Sequence, residues 1–143
     1  MKIIPPKKQF EDMLRGLNAA PQEIKKGLKI AMDSSLMEVH GKAVEKAPYR
    51  RGNLRRSLTW KSDTQDSRVV GAVGSNLVYA RIHEFGGIVK AKGGGYLHFK
   101  GDQGWAQVKQ VTIPGRHYLG QAVSSSQEAI RQRFAKIQAI KKS

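Results

Sequence analysis

The feature that most constrains the fold of this chain is a helical apolar stripe running unbroken from Ile24 to Ala43. Ile24, Leu28, Met32, Leu36, Val39 and Ala43 follow one another at spacings of four, four, four, three and four, a recurrence that puts side chains on one side of an α-helix. Lys25, Lys26, Lys29, Glu38, Lys42 and Glu45 mostly fill the other side. Pro21 suits a first-turn position, and Gln22 and Glu23 follow in the turn where the helix dipole favours anions. Ala47-Pro48 ends the pattern, because the residue before a proline is pushed out of the α region. An amphipathic helix of about six turns needs an apolar surface of matching length, which the rest of the chain must supply.

Several segments read as strands. Leu54, Leu58 and Trp60 share one parity while Arg55, Ser57, Thr59 and Lys61 share the other, so a half-buried strand is expected with its core face on the even positions. RVVGAVGS, from Arg68 to Ser75, reads as the returning strand of a hairpin, with Gly71 and Gly74 marking a bulge or a close approach. Ile88 to Lys92 and Tyr96 to Lys100 read as a second hairpin around a glycine tip at 93–95, and Trp105 to Ile113 as one more strand. The last helix is expected to begin near Ser125, where Ser125-Ser126-Gln127-Glu128 offers a capping box. Ile130, Phe134, Ile137 and Ile140 or Ala139 line its apolar face. Ahead of the long helix, Phe10, Met13, Leu14 and Leu17 predict a helical arm over residues 1–20. A chain of 143 residues suits one core. The expected fold is α+β: a long N-terminal amphipathic helix and a C-terminal helix packed on a four- to five-stranded, mainly antiparallel sheet, with residues 21–143 as a single domain.

Charge narrows the partners. Twenty-six Lys and Arg against 11 acids give a net charge of +15 and a pI near 10.3, a balance that an anionic partner, counterions or neighbouring subunits must offset. Lys46 to Arg56, KAPYRRGNLRR, carries five basic residues and no acid. Arg50, Arg51, Arg55 and Arg56 are therefore the candidates for contact with DNA or an acidic partner. The cluster matches no helix-turn-helix, RRM or zinc-finger signature, so contact with DNA would be non-specific. The absence of cysteine removes disulfides and thiolate metal sites. No apolar run approaches the ~20 residues of a membrane span, and MKIIPPKKQFEDM has no hydrophobic signal region. These features predict a soluble protein without membrane contact, acting inside the cell that makes it.

The stretch NLVYARIHEFGG, Asn76 to Gly87, carries the densest chemistry. His83-Glu84 invites a metal or general-base reading, but a helical zinc site needs a second histidine four residues away, and Phe85, Gly86 and Gly87 follow instead. No G-x-S-x-G or phosphate-cradling loop is present. No catalytic, metal or cofactor residue is assigned. The residues suit a short helix over Leu77 to Phe85 with Tyr79, Ile82 and Phe85 inward and Gly86 or Gly87 at its end. Glu84, the only carboxylate between Ser67 and Gly101, is expected to pair with Arg81, Arg116 or a basic residue of another subunit.

Three segments in order carry a resemblance: APYRRGNLRRSL from Ala47, VGSNLVYARIHEFGG from Val73 and TIPGRHYLGQAV from Thr112. They resemble the tailed-bacteriophage virion morphogenesis proteins, also described as tail completion or neck (head-tail joining) proteins. The matching positions are Pro48, Gly52, Leu54 and Ser57; Tyr79, Ala80, His83, Phe85, Gly86 and Gly87; and Ile113, Pro114, Arg116, Leu119 and Gly120. The chain departs from the usual pattern at Glu84, Gly115, His117 and Tyr118. The resemblance implies a non-enzymatic structural virion protein at the neck or tail, assembled in the host bacterial cytoplasm as a hexameric or dodecameric ring of its own copies. Its expected partners are tail tube or terminator and head-completion proteins, with DNA in the channel as a non-specific contact. The assembly candidates are Tyr79, His83, Glu84, Phe85, Arg116, His117 and Tyr118. The alternative reading is a non-specific nucleic-acid-binding protein.

Overall fold

The computed structural model describes residues 22–65 and 68–142; the arm expected over residues 1–20 lies outside them. The apolar stripe becomes helix α1, Gln22–Lys46, and its inward residues Leu28, Met32, Leu36, Val39 and Ala43 are each at most 3% exposed. A short helix α2, Asn53–Ser57, follows the basic loop. Strand β1 therefore starts at Leu58 and runs to Gln65, not from Leu54 as the alternation suggested. Leu54 is nevertheless buried: one turn of helix and the β alternation both point it inward, so parity could not tell them apart.

β1 pairs antiparallel with β2, Arg68–Ser75, through an unbroken register from Leu58↔Ser75 to Gln65↔Arg68. Leu58, Val69 and Val73 enter the core, and Trp60 packs against it. Along α1 the ribbon is also tied by polar contacts. His40 Nε2 lies 2.9 Å from the Leu58 carbonyl oxygen, and Ser62 Oγ donates to Asp33, which accepts from Lys29 Nζ at 2.9 Å.

Helix α3, Ala80–Phe85, leads into β3, Gly87–Lys90. β3 pairs with β6, Gln110–Ile113, while β4, Leu97–Gly101, pairs with β5, Gly104–Val108. The second hairpin expected around Gly93–Gly95 is thus replaced by two nested antiparallel pairs. A two-residue turn at Asp102-Gln103 closes the inner pair between Gly101 and Gly104, the shortest connection that two antiparallel strands take. The glycines at 93–95 form a kink within one side of the arm, and Ala91 N donates to Lys109 O at 3.0 Å where inner and outer pairs meet. The α+β expectation holds, and among the described residues six strands form three two-stranded antiparallel pairs.

The last helix, α4, spans Tyr118–Lys142. It begins seven residues before the capping box at Ser125, whose hydroxyl donates to Ala122 O within the helix. α4 runs antiparallel to α1: Lys42 Nζ donates to Ser125 O at 3.1 Å, Arg133 pairs with Glu38 further along, and Ile137 reaches Gly27 at the far end. Tyr118, Ala122 and Ile130 complete the core. Hydrogen bonds from Lys42 and Arg133 hold the Glu38 carboxyl below the usual carboxylate range.

Gly71 is the close approach that the sequence signalled; the continuous register leaves no bulge. A Cβ there would stand 2.7 Å from Met32 Sδ and 2.8 Å from Leu36 Cδ1, both held in a packed interior. Gly71→Ala is expected to lower stability by about 1–3 kcal/mol, the usual cost of overpacking. Urea denaturation monitored by circular dichroism reads this directly, and an unchanged midpoint would mean that α1 and the ribbon are not so tightly apposed.

Candidate functional site

The stretch from Asn76 to Gly87 forms a junction between α3 and the start of α4. Glu84, on α3, is 3% exposed. Its two carboxylate oxygens accept from the backbone N–H groups of Leu119 at 2.8 Å and Gly120 at 2.9 Å. These are first-turn amides of α4, which have no partner within their own helix and sit at the positive end of its dipole. Glu84 is therefore a capping residue supplied from another helix. The expected ion pair with Arg81 or Arg116 is replaced by this cap, because the buried carboxylate finds amide donors closer than any side-chain cation.

Backbone bonds support the junction. Arg116 N donates to His83 O at 2.8 Å and His117 N to Glu84 O at 3.0 Å, and the Tyr118 hydroxyl donates to Ala80 O at 3.2 Å. Burial, with the Glu84 charge adding to it, pushes the Tyr118 phenol up. Gly86 ends α3 at φ 75°, a region open to glycine. A side chain on it would meet Gly115 N at 2.6 Å and Ile113 O at 2.8 Å, and one on Gly115 would meet Phe85 C at 2.7 Å. Two bare backbones touch here, and neither position can carry a Cβ without moving the other.

The junction reorders the expected inward set. Ala80 and Glu84 are the buried residues of α3, whereas Phe85 is 65% and Tyr79 41% exposed, and Ile82 is half-buried. Of the assembly candidates, Glu84 and Tyr118 are buried inside the chain. Tyr79, Phe85, Arg116 and His117 remain at the surface. Tyr79 meets the His83 ring edge-on with centroids 5.9 Å apart, and Phe85 meets His117 at 6.5 Å.

Beside the junction lies a cleft of about 510 Å³. One wall runs from the basic loop into the start of α2, residues 48–54; the other is Tyr79, His83, Ile113 and Arg116. Arg50, Arg51 and Arg116 therefore share one space, and among the described residues no carboxylate lines it. Arg55 and Arg56 do not reach it. Arg55 donates to Ala47 O at 2.9 Å and lies over the Tyr49 ring, while Arg56 donates to Arg51 O and Asn53 Oδ1. Both shape the loop. Arg50 donates to Lys100 O at 3.1 Å and so fastens the loop to the strand arm. The guanidinium groups of Arg51 and Arg116 hold no hydrogen bond among the described residues. His83 Nδ1 is shielded from solvent and has no partner among them either. Its imidazole is held below its ordinary value near 6.5, first by burial and then by the neighbouring Arg116 charge.

Pro48, Gly52 and Leu54, positions of the first matching segment, line the cleft together with Tyr49, and Asn53 is a lining residue that the sequence did not single out. Among the described residues no group of three or more His, Asp or Glu could hold a metal ion, and no helix is long and apolar enough to cross a membrane.

The family model described as "Bacteriophage HK97-gp10, putative tail-component" matches residues 11–86. The chain belongs to this family. The HK97-gp10-like span covers α1, α2, the β1-β2 ribbon and α3, ending at Gly86. It takes in the 48–54 wall of the cleft, Tyr79, His83 and the capping Glu84, while Ile113, Arg116 and α4 follow after it. No curated protein and no solved structure matches the chain.

Two outcomes follow from this geometry. Glu84→Ala, which strips two amides of their acceptor, should cost about 1–3 kcal/mol in chemical denaturation, and Glu84→Gln, which keeps one oxygen, should cost less; equal stability of all three proteins would refute the cap. The second concerns pH. His83 has a lower proton affinity folded than unfolded, so its contribution is complete above about 6.5 and is lost as pH falls toward the folded value. The melting temperature of the parent relative to His83→Gln should therefore fall on acidification through that range, and a pH-independent difference would count against it.

Proposed function

We propose that the protein is a structural subunit of a tailed-phage virion that completes the tail and joins it to the head, assembled as a ring with copies of itself. It acts by protein contact and not by catalysis, meeting tail tube or terminator protein on one side and head-completion protein on the other. Family membership supports the tail assignment. The observation that carries the finer reading is the convergence of all three motif segments on one junction and one cleft. Pro48, Gly52 and Leu54, then Tyr79 and His83, then Ile113 and Arg116 come from distant parts of the chain and line the same space.

Large apolar side chains at the surface favour an assembled working state. Phe85, Ile88, Tyr96 and Trp105 are 65%, 56%, 52% and 79% exposed along the arm and its root, and exposed aromatic residues of this kind are enriched at protein interfaces. The second reading, non-specific nucleic-acid binding, is favoured by the +15 charge.

Deleting the gene from the phage is expected to leave heads and tails that fail to join, visible by electron microscopy and restored by expression in trans. Purified protein should form rings with itself or on a tail-tube partner. Joined, infectious particles from the deletion would overturn the proposal. Monomeric protein that ignores virion partners yet holds DNA with a steep salt dependence would install the second reading.

A further inference from the structure

We infer that the cleft beside the junction is a carboxylate-binding site that takes an acidic segment of a partner protein, with Arg51 and Arg116 as its charge anchors. The inference rests on the reading of this cleft as an assembly contact and names the chemistry of what enters it.

Three observations carry it. The first is uncompensated charge. Arg50, Arg51 and Arg116 line the cleft with no Asp or Glu among its walls. Glu84, next to His83 in the chain, has both oxygens committed to α4. Arg50 spends one N–H on Lys100 O, and Arg55 and Arg56 spend theirs on the loop. Arg51 and Arg116 are the guanidinium groups left with free donor forks among the described residues of the cleft, and a guanidinium fork matches a carboxylate in two-point geometry.

The second is the lining between the charges. Tyr49, Leu54, Tyr79 and Ile113 are aromatic or aliphatic, so an entering carboxylate is partly withdrawn from water and its attraction to arginine grows as the local dielectric falls. Tyrosine and arginine around one recess is the composition of protein-interface hot spots.

The third is shape. A recess of about 510 Å³ is the size that encloses a few side chains. A DNA duplex is a rigid cylinder whose phosphates meet ridges before recesses. The recess lined by the half-buried His83 has room for a flexible acidic side chain and not for a duplex backbone.

The charged groups that share the cleft with His83 are Arg50, Arg51 and Arg116. An anion placed among them offsets the repulsion that now disfavours an imidazolium, so occupancy should raise the proton affinity of His83.

The test uses the full chain and an oligoglutamate peptide, with duplex DNA of random sequence as competitor. Arg51→Gln with Arg116→Gln is compared with Lys136→Gln, an exposed charge on α4, singly and in combination with a second surface lysine so that net charge is matched. Neither arginine side chain holds a hydrogen bond among the described residues, so unchanged melting curves are expected, and only proteins with such curves are compared. The double arginine variant should weaken oligoglutamate binding by at least ~10-fold while the lysine variants leave it nearly unchanged, and peptide should raise the His83 imidazole pKa in NMR titration. Equal weakening by the lysine variants, no change at His83, or DNA that displaces the peptide and loses affinity with the arginines would each overturn the inference. Phage complementation separates this from the broader reading. If the gene is required for head–tail joining but the arginine variants bind oligoglutamate normally, the carboxylate site falls and the tail role stands.

Discussion

Everything in this structure depends on one buried carboxylate meeting the end of one helix. Glu84 is almost wholly removed from water, a costly place for a charge unless every oxygen finds a donor. It finds two, the amides of Leu119 and Gly120, and the positive end of the α4 dipole lies behind them. The arrangement solves two problems together: α4 gains acceptors for first-turn amides, and α3, too short to be stable alone, gains an anchor. Gly120 fits the same logic, since a Cβ there would press on Glu84 Oε1 at 3.3 Å.

That anchor explains why the long helices meet as they do. Once the start of α4 is held at α3, its antiparallel course along α1 brings Arg133 to Glu38 and Ile137 to Gly27. The core then closes from both sides, with Tyr118 and Ala122 of α4 joining the cluster that holds Val39 and Ala43 of α1. The β3-β6 arm is closed at its root by the same junction, because Gly87 pairs with Ile113 just beyond the Gly86–Gly115 contact. The arm can project without disturbing the interior, for its root is fixed by backbone contact and its length is paired within itself.

What the sequence revealed follows the range of the forces involved. α1 was legible because its stripe is local and uninterrupted, and Pro48 stops it by local sterics. The β1-β2 hairpin was legible for the same reason. The start of α4 was not, because its cap comes from a residue 35 positions away; the Ser125 capping box has the right letters within a helix already under way. The inward face of α3 was misread because one of its two buried residues is a glutamate, and a search for apolar periodicity counts it as surface. The nested arm was missed because the glycines at 93–95 look like a hairpin tip, whereas the pairing is set by the two-residue turn at Asp102-Gln103. Of the cleft, the basic loop and the 79–85 stretch were each visible; that they face one another was not, since no local signal joins residues 48–54 to Arg116.

The arginines show how a strongly basic chain separates structural from available charge. Arg55 and Arg56 are adjacent to one another and close to Arg51, yet their donors are absorbed by carbonyls and the Asn53 side chain that the loop would otherwise leave to water. Arg51 and Arg116 are left unengaged, one on each wall of the cleft. The division follows from backbone geometry: the turn at Pro48 and Gly52 folds the loop over its own carbonyls on one side, and the junction presents Arg116 on the other. Because Arg116 N is bonded to His83 O, the position of that second wall is set by the same contact surface that Glu84 holds in place. Burying Glu84 thus does more than stabilise a helix end, since it commits both oxygens of the acid next to His83 to α4 and keeps them out of the cleft lining.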